Sequence, residues 1–424
     1  VNCYRANYFV LKKKIQLPPF YLISIIVFCH VSFLKAQTNI SLKDAIDSAI
    51  NNNRSLQNNK IRADYFNALK YTAWDVPPTN ISYETGNIFS SYTDNRLGIT
   101  QKIAFPIVYS RRQSVLNEEA HVSETKIILG KKELIRAVSD AYVELSLLSE
   151  KIKLLQFADS VYASFADNVT MRLDNGAANI LEKATAVNQK GQIQMQLQLA
   201  ISDFESKQLE LKLLMNSDVR IIPKTEEIKL NIFDSVSKLI MDDLPEIRLL
   251  SEEKKIAEAN LKLLYTAYYP ELFLGYYNQS IQGWHLIDGN EIFTDNSYRF
   301  HSAVIGLGIP FISNSQTAKI KANKYQVLLA QNSLQLEIER LQNQIMTQLE
   351  VYNKMNSLMK EYNTFLKNSD DLLKATFERL HQDEIDVMQF VFMINQAIST
   401  KCAYLELMKK KNQVAVEINY LTSK

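Results

Sequence analysis

The segment Ile99-Thr100-Gln101-Lys102-Ile103-Ala104-Phe105 returns as Ile305-Gly306-Leu307-Gly308-Ile309-Pro310-Phe311, an offset of 206 residues. In both copies apolar side chains alternate with small or polar ones, the period of a strand with two unlike faces. Upstream, Ile81, Tyr83 and Thr85 alternate with Ser82, Glu84 and Gly86, so each copy closes a β-hairpin, opened by Pro78 in one case and Pro270 in the other. Because those prolines are only 192 residues apart, the second hairpin has the longer loop, around Trp284 to Asn296. Downstream, Arg172-Leu173 matches Arg379-Leu380, Ile180 matches Val387, and Asn188-Gln189 matches Asn395-Gln396, each at 207. Correspondences in one order at nearly constant spacing mark an internal duplication. Each half reads helix, β-hairpin, long helix, turn, long helix.

The chain has only 10 Gly and 9 Pro, with no Pro between Pro106 and Pro223 and neither residue after Pro310. Stretches without these breakers are where uninterrupted helices form. Val138, Tyr142, Leu145, Leu148, Ile152, Leu155, Ala158, Tyr162, Phe165 and Val169 advance by threes and fours, and a like stripe runs from Leu334 through Leu341, Ile345, Tyr352 and Met359 to Leu366. A mean step near 3.5 is the coiled-coil period. A helix from about Ser114 to Leu173 would be roughly 90 Å long and must bury its stripe against other long helices. Gln192-Ile-Gln-Met-Gln-Leu-Gln-Leu199 alternates like a strand, yet Gln and Met favour helix and no turn residues flank it, so helix is expected.

These readings divide the chain into a signal segment (1–36), a first repeat (37–216, hairpin about 79–106, helical hairpin about 110–216), an equatorial linker (217–245) and a second repeat (246–424, hairpin about 271–312, helical hairpin about 314–422). The signal reading rests on Lys12, Lys13 and Lys14, the short apolar run Tyr21 to Phe28, and Ala36 before Gln37; a membrane anchor is the alternative. Phe28 before Cys29 is unlike the small residue of a lipoprotein site. Nothing later is apolar for the roughly 18 residues a membrane helix needs. Strands of about ten residues, apolar on one face, suit a tilted transmembrane barrel, and the same alternation would allow a half-buried sheet packed on a helix. Tyr83, Tyr92, Tyr276, Tyr277, Trp284 and Tyr298 could form its interfacial girdle. Four strands cannot close, and an open edge cannot face lipid. Three copies give twelve.

The duplication, the paired hairpins ending at Pro106 and Phe311, and two tip motifs carry a resemblance. The tips are Met171-Arg-Leu-Asp-Asn-Gly176-Ala-Ala-Asn-Ile-Leu181 and Glu378-Arg-Leu-His-Gln-Asp383-Glu-Ile-Asp-Val-Met388. Over Ser41 to Leu421 the sequence resembles the TolC-like outer-membrane efflux family, and its length and short second tip lean toward the branch serving heavy-metal or drug resistance-nodulation pumps. The resemblance implies a mainly α fold with a small membrane β part. It implies a homotrimer, with a twelve-stranded β-barrel in outer-membrane lipid continued by a helical coiled-coil tunnel through the periplasm of a Gram-negative bacterium. It also implies a periplasmic adaptor and an inner-membrane transporter at the lower end. Arg172, Leu173, Asp174, Gly176, Arg379 and Leu380 are then the adaptor-contact candidates. Asp386 and Asp383 are the aperture candidates, where threefold symmetry would gather acids that attract cations. Asp386 is expected one turn into its helix and facing the lumen, with loss of its side chain costing under about 0.5 kcal/mol. The bland reading is an acid at a helix start. Two departures stand out: Asp383 where the first tip has Gly176, and Gln389 where some relatives carry a second acid. A conduit for type I protein secretion and a periplasmic coiled-coil scaffold stay open.

No catalytic constellation, metal site or cofactor motif is read. His30, His121, His285, His301 and His381 sit in five different elements, none with an i, i+4 His or Cys partner. Cys402, Met388, Met393 and Met408 read as core, and Lys409 to Lys411 as a solvated face. Formal charge is +2, which argues against nucleic acid as a partner.

Overall fold

The computed structural model describes residues 37–218, 220–224, 230–232, 241–311, 314–381 and 384–423. The signal segment with its Ala36 site, Cys29, and Asp383 of the second tip lie outside the described residues.

The described residues open with β1 (Gln37–Ile40), α1 (Leu42–Asn52) and α2 (Arg54–Leu69). Asn53 serves both helices: its N–H closes α1 on the Ala49 carbonyl, and its side chain caps α2 by accepting the Leu56 N–H at 3.1 Å. Next come β2 (Asn80–Gly86), β3 (Asp94–Ile103), α3 (Pro106–Asp174), α4 (Ile180–Met215) and β4 (Arg220–Pro223). The second half holds α5 (Pro245–Tyr265), β5 (Glu271–Gln279), β6 (Gly283–Ile287), β7 (Asn290–Thr294), β8 (Phe300–Gly308), α6 (Asn314–His381) and α7 (Val387–Thr422). The long helices have 69 and 68 residues and the shorter ones 36 each, and α7 starts and ends 207 residues after α4. The duplication is thus structural, and Gln192 to Leu199 lie inside α4 as helix.

Three features differ from the sequence reading. Helix α3 begins at Pro106, not near Ser114, because proline at the first helical position presets φ and lacks only an N–H that would be unpaired there. The long loop of the second hairpin folds as its own hairpin, β6–β7, through Asp288 (φ +51°) and Gly289 (φ +82°), the backbone that a two-residue hairpin turn requires. In the equatorial linker, β4 pairs in parallel with β1, and the Tyr142 hydroxyl donates to the Ile40 carbonyl (2.9 Å) and accepts the Lys224 N–H (3.1 Å) beside them.

Strands β2, β3, β5 and β8 form one antiparallel sheet in that order, so the β3–β5 pairing joins the two halves. Register sets the faces. Ile81 opposes Ile99, Ile99 opposes Tyr276 and Tyr276 opposes Ala303; the next row is Leu274 beside Ile305. One row on this face is therefore an apolar band across all four strands, with Gln101 in the row of Leu274 and Ile305 and Asn278 and His301 in the row of Tyr83 and Leu97. The other face carries Ser82, Glu84, Arg96, Gly98, Thr100, Tyr277 and Ser302. Gly98 is required there, since a Cβ would come within 2.8 Å of Ser82 Oγ and the Tyr277 ring.

Away from the sheet the helices pack as a layer in the order α4, α3, α7, α6; nearer the sheet the order is α2, α3, α5, α6. Most of the first stripe is the buried seam: Val138, Tyr142, Leu145, Leu155, Ala158, Tyr162, Phe165 and Val169 are at or below 5% exposure, whereas Leu148 and Ile152 are half-buried. The α6 stripe is less covered, because α6 is an edge helix in both layers: Leu341, Ile345, Tyr352 and Met359 are buried, whereas Leu334, Ile338 and Leu366 are half-buried.

Candidate functional site

Two regions could meet a partner or a membrane: the sheet's apolar face and the helical tips. On the sheet, Ile81, Tyr83, Ile305 and Leu307 are 64–78% exposed in the single chain. Soluble proteins seldom leave so continuous an apolar surface in water. Edge strands β2 and β8 also leave one side of their backbone unpaired within this sheet.

The first tip is a helix stop built on Gly176. The Gly176 N–H bonds the Leu173 carbonyl (3.0 Å) and the Ala177 N–H bonds the Arg172 carbonyl (2.7 Å), with Gly176 at φ +73°. The Arg172 guanidinium reaches the Ala177 carbonyl at 3.4 Å, closing the turn from both sides. Asn179 then caps α4, accepting the Glu182 N–H at 2.9 Å while its amide donates to the Glu182 carboxylate at 2.9 Å. One bond of this turn, Ala177 to Arg172, recurs at the second tip 207 residues on. The Glu384 N–H bonds the Arg379 carbonyl at 3.0 Å, and the Arg379 and Glu384 side chains lie 3.9 Å apart.

Asp386 is the N-cap of α7 and does not lie one turn inside it. Its carboxylate accepts the Gln389 N–H at 2.7 Å, and the Gln389 side chain accepts the Asp386 N–H at 3.2 Å, a reciprocal capping box. The expectation that losing this side chain is nearly free is corrected: a cap is worth about 1 kcal/mol. Gln389 is the other half of the box. Arg172, Asp174, Gly176, Arg379 and Asp386 are exposed; Leu173 and Leu380 are half-buried, Leu380 against the tip core around Phe165 and Phe390. Among the described residues each arginine reaches across its own turn, Arg172 to the Ala177 carbonyl and Arg379 to the Glu384 carboxylate.

The sequence reading missed Asn179 as the counterpart of Asp386, and also a polar relay. The Tyr162 hydroxyl donates to Asn395 Oδ1 (2.9 Å), and Asn395 Nδ2 donates to Gln189 Oε1 (3.0 Å), tying α3, α4 and α7 together just above the tips. The repeated Asn-Gln pairs were its only visible signal.

At the middle of the helices lies a charged cluster. Lys132, 5% exposed, sits 2.8 Å from Glu246 at the start of α5; burial depresses its pKa and Glu246 opposes that. Burial alone would raise the Glu144 carboxyl, but bonds from Lys409 and Lys207 hold it below its ordinary value. At Asp140 burial dominates and pushes the carboxyl up to about 6 against the pull of Arg136. Among the described residues no group of three His, Cys, Asp or Glu could hold a metal, and no helix is long and apolar enough to cross a membrane.

No family model matches the chain, and no curated protein matches it. Solved structures do. A membrane protein from Pseudomonas aeruginosa superposes with a TM-score of 0.75 at 15% identity, over 90% of this chain and 93% of that one. The outer-membrane channel CmeC of Campylobacter jejuni gives 0.74 at 14%, over 100% and 93%. The outer-membrane protein VceC of Vibrio cholerae gives 0.73 at 12%, over 90% and 96%. With sequence identity this low, it is the whole-length coincidence of sheet and paired helical hairpins that relates them: the chain has the TolC-like outer-membrane channel fold.

Proposed function

We propose that this chain is one protomer of a homotrimeric outer-membrane efflux channel, a passive duct that continues from a twelve-stranded barrel into a helical tunnel. The observation that carries the reading is the sheet: an apolar band across four strands, open at both edges, continuous with helices of 69 and 68 residues. An open sheet cannot sit in lipid, whereas three copies pairing β8 of one with β2 of the next close a barrel. The helices, at roughly 1.5 Å per residue, would extend it by about 100 Å. Edge helices α4 and α6 support the same assembly, since Leu199, Leu209 and Leu213 on one and Leu328, Leu329 and Leu336 on the other are 59–79% exposed. Those rows would cover each other between protomers.

In this assembly the tips are the end farthest from the membrane. They would receive a periplasmic adaptor linked to an inner-membrane transporter, with Arg172, Leu173, Asp174, Gly176, Arg379 and Leu380 at the contact. The length of the chain and the short second tip favour the resistance-nodulation branch. Asp386 spends one carboxylate oxygen on its cap, which leaves charge to line the aperture as a ring of three, with Asp383 three residues before it in sequence. The test is electrophysiological. Purified protein in planar bilayers should give discrete, cation-selective channels, with the selectivity reduced in Asp386→Asn. Absence of channels from a trimeric preparation overturns the duct; unchanged selectivity in the variant removes Asp386 from the aperture.

A further inference from the structure

Both loops at the outer end of the sheet fold over its polar face. Phe300 pairs with Gln279, which in turn pairs with Arg96, so all three project from the face opposite the apolar band. The His285 ring of β6 lies 5.6 Å from the Phe300 ring. From the first loop, the Phe89 ring lies 5.6 Å from the Arg96 guanidinium. The two loops then touch each other, Tyr92 against Phe293 at 5.7 Å. A fully buried carboxylate fixes this arrangement: Asp94 accepts the Phe89 N–H (3.1 Å), the Ser90 hydroxyl (2.9 Å) and the Gln282 N–H (2.9 Å), binding the first loop to the base of the β6–β7 hairpin.

Side chains alternate along that hairpin. With His285 turned toward the sheet, Trp284 and Leu286 point the other way, 72% and 74% exposed, on the face they share with their cross-strand partners Phe293 and Glu291. If the apolar band faces lipid, the polar face is the lumen wall, and this hairpin stands inside the outer mouth with the face that carries Trp284, Leu286, Phe293 and Glu291 toward the channel axis. We infer that Trp284 and Leu286 from three copies meet there as an apolar collar, a second constriction at the opposite end of the duct from the tips. Its occupant is the same hairpin of the other two copies. A collar of this kind opposes ion flow by dewetting while admitting apolar solutes. The inference rests on the trimeric-barrel reading.

Two measurements test it. Trp284→Ala with Leu286→Ser should raise single-channel conductance at least about twofold, because exposed side chains are removed from a dewetted constriction. Trimeric channels with unchanged conductance overturn the collar and leave the barrel standing; a wild type that is not trimeric overturns both. The second measurement does not depend on current. The chain has two tryptophans, so Trp74→Phe leaves Trp284 as the sole emitter. Aqueous iodide should quench it in proteoliposomes and lipids brominated on their acyl chains should not. Quenching by the brominated lipid would put the hairpin in the membrane and overturn the collar.

Discussion

Replacing Lys132 with Met should destabilise the helical layer by about 3 kcal/mol. Lys132 Nζ and Glu246 Oε1 are 2.8 Å apart, with side chains 5% and 14% exposed. At that distance and an effective dielectric near 20, Coulomb's law gives roughly 6 kcal/mol of attraction, most of it cancelled by desolvating both ions. Removing one partner restores none of the other's hydration. A buried, unpaired Glu246 costs about 3–5 kcal/mol, and its place in the first turn of α5 returns about 0.5–1 of that. Removing both charges as Lys132→Met with Glu246→Leu should bring stability back to within about 1 kcal/mol of wild type. The assay is a double-mutant cycle by urea unfolding in fixed detergent. Single variants that cost under about 0.5 kcal/mol, or effects that simply add, would mean that the pair is solvated in the assembly and the reasoning wrong.

Other expectations follow from the same structure. Asp140 titrates near 6 in the fold and near 3.8 when unfolded, so the native state holds the extra proton, and stability falls as pH rises from about 4 to 6. Asp140→Asn should flatten that slope and stabilise the protein at pH 7.5 by about 1 kcal/mol after allowance for partial solvent screening; equal slopes in urea titrations would refute this. Gly176→Val should cost about 1–2 kcal/mol through backbone strain alone, since no atom lies within 4 Å of an added Cβ, while Gly176→Asn costs less. Hydrogen exchange at the first tip reads the difference. Asp386→Ala should lose about 1 kcal/mol of cap stability and speed exchange at the start of α7, whereas Asp386→Asn, an equally good cap, should not. Equal exchange in both variants would mean the capping box does not hold that helix.

Much of this fold was legible because the duplication states it twice. Residues 207 apart turned out to occupy equal positions in equal helices, and the step near 3.5 from Val138 to Val169 marked the buried seam. Alternation at Ile99 to Phe105 gave the strand faces. The β6–β7 hairpin went unread although Asp288-Gly289 is a strong turn signal; its strands are five residues each, too short for alternation to stand out. β1 and β4 have four residues each and are held by long-range pairing that no local pattern announces. The candidate tip residues were located through the repeat, but their chemistry was not. Asp386-x-x-Gln389 is a capping signature as much as an acid near an aperture, and only geometry showed that the carboxylate holds its own helix. The charged cluster around Lys132 and Asp140 was invisible because its members come from α3, α4, α5 and α7.

A four-stranded sheet can be the membrane part of a channel only if several chains share one barrel. Native mass spectrometry of the protein extracted in detergent from outer membranes should give three chains per particle, stable to dilution. A particle of one chain with its β-structure intact would contradict the shared barrel, since four strands with two open edges cannot then be the membrane part of a channel.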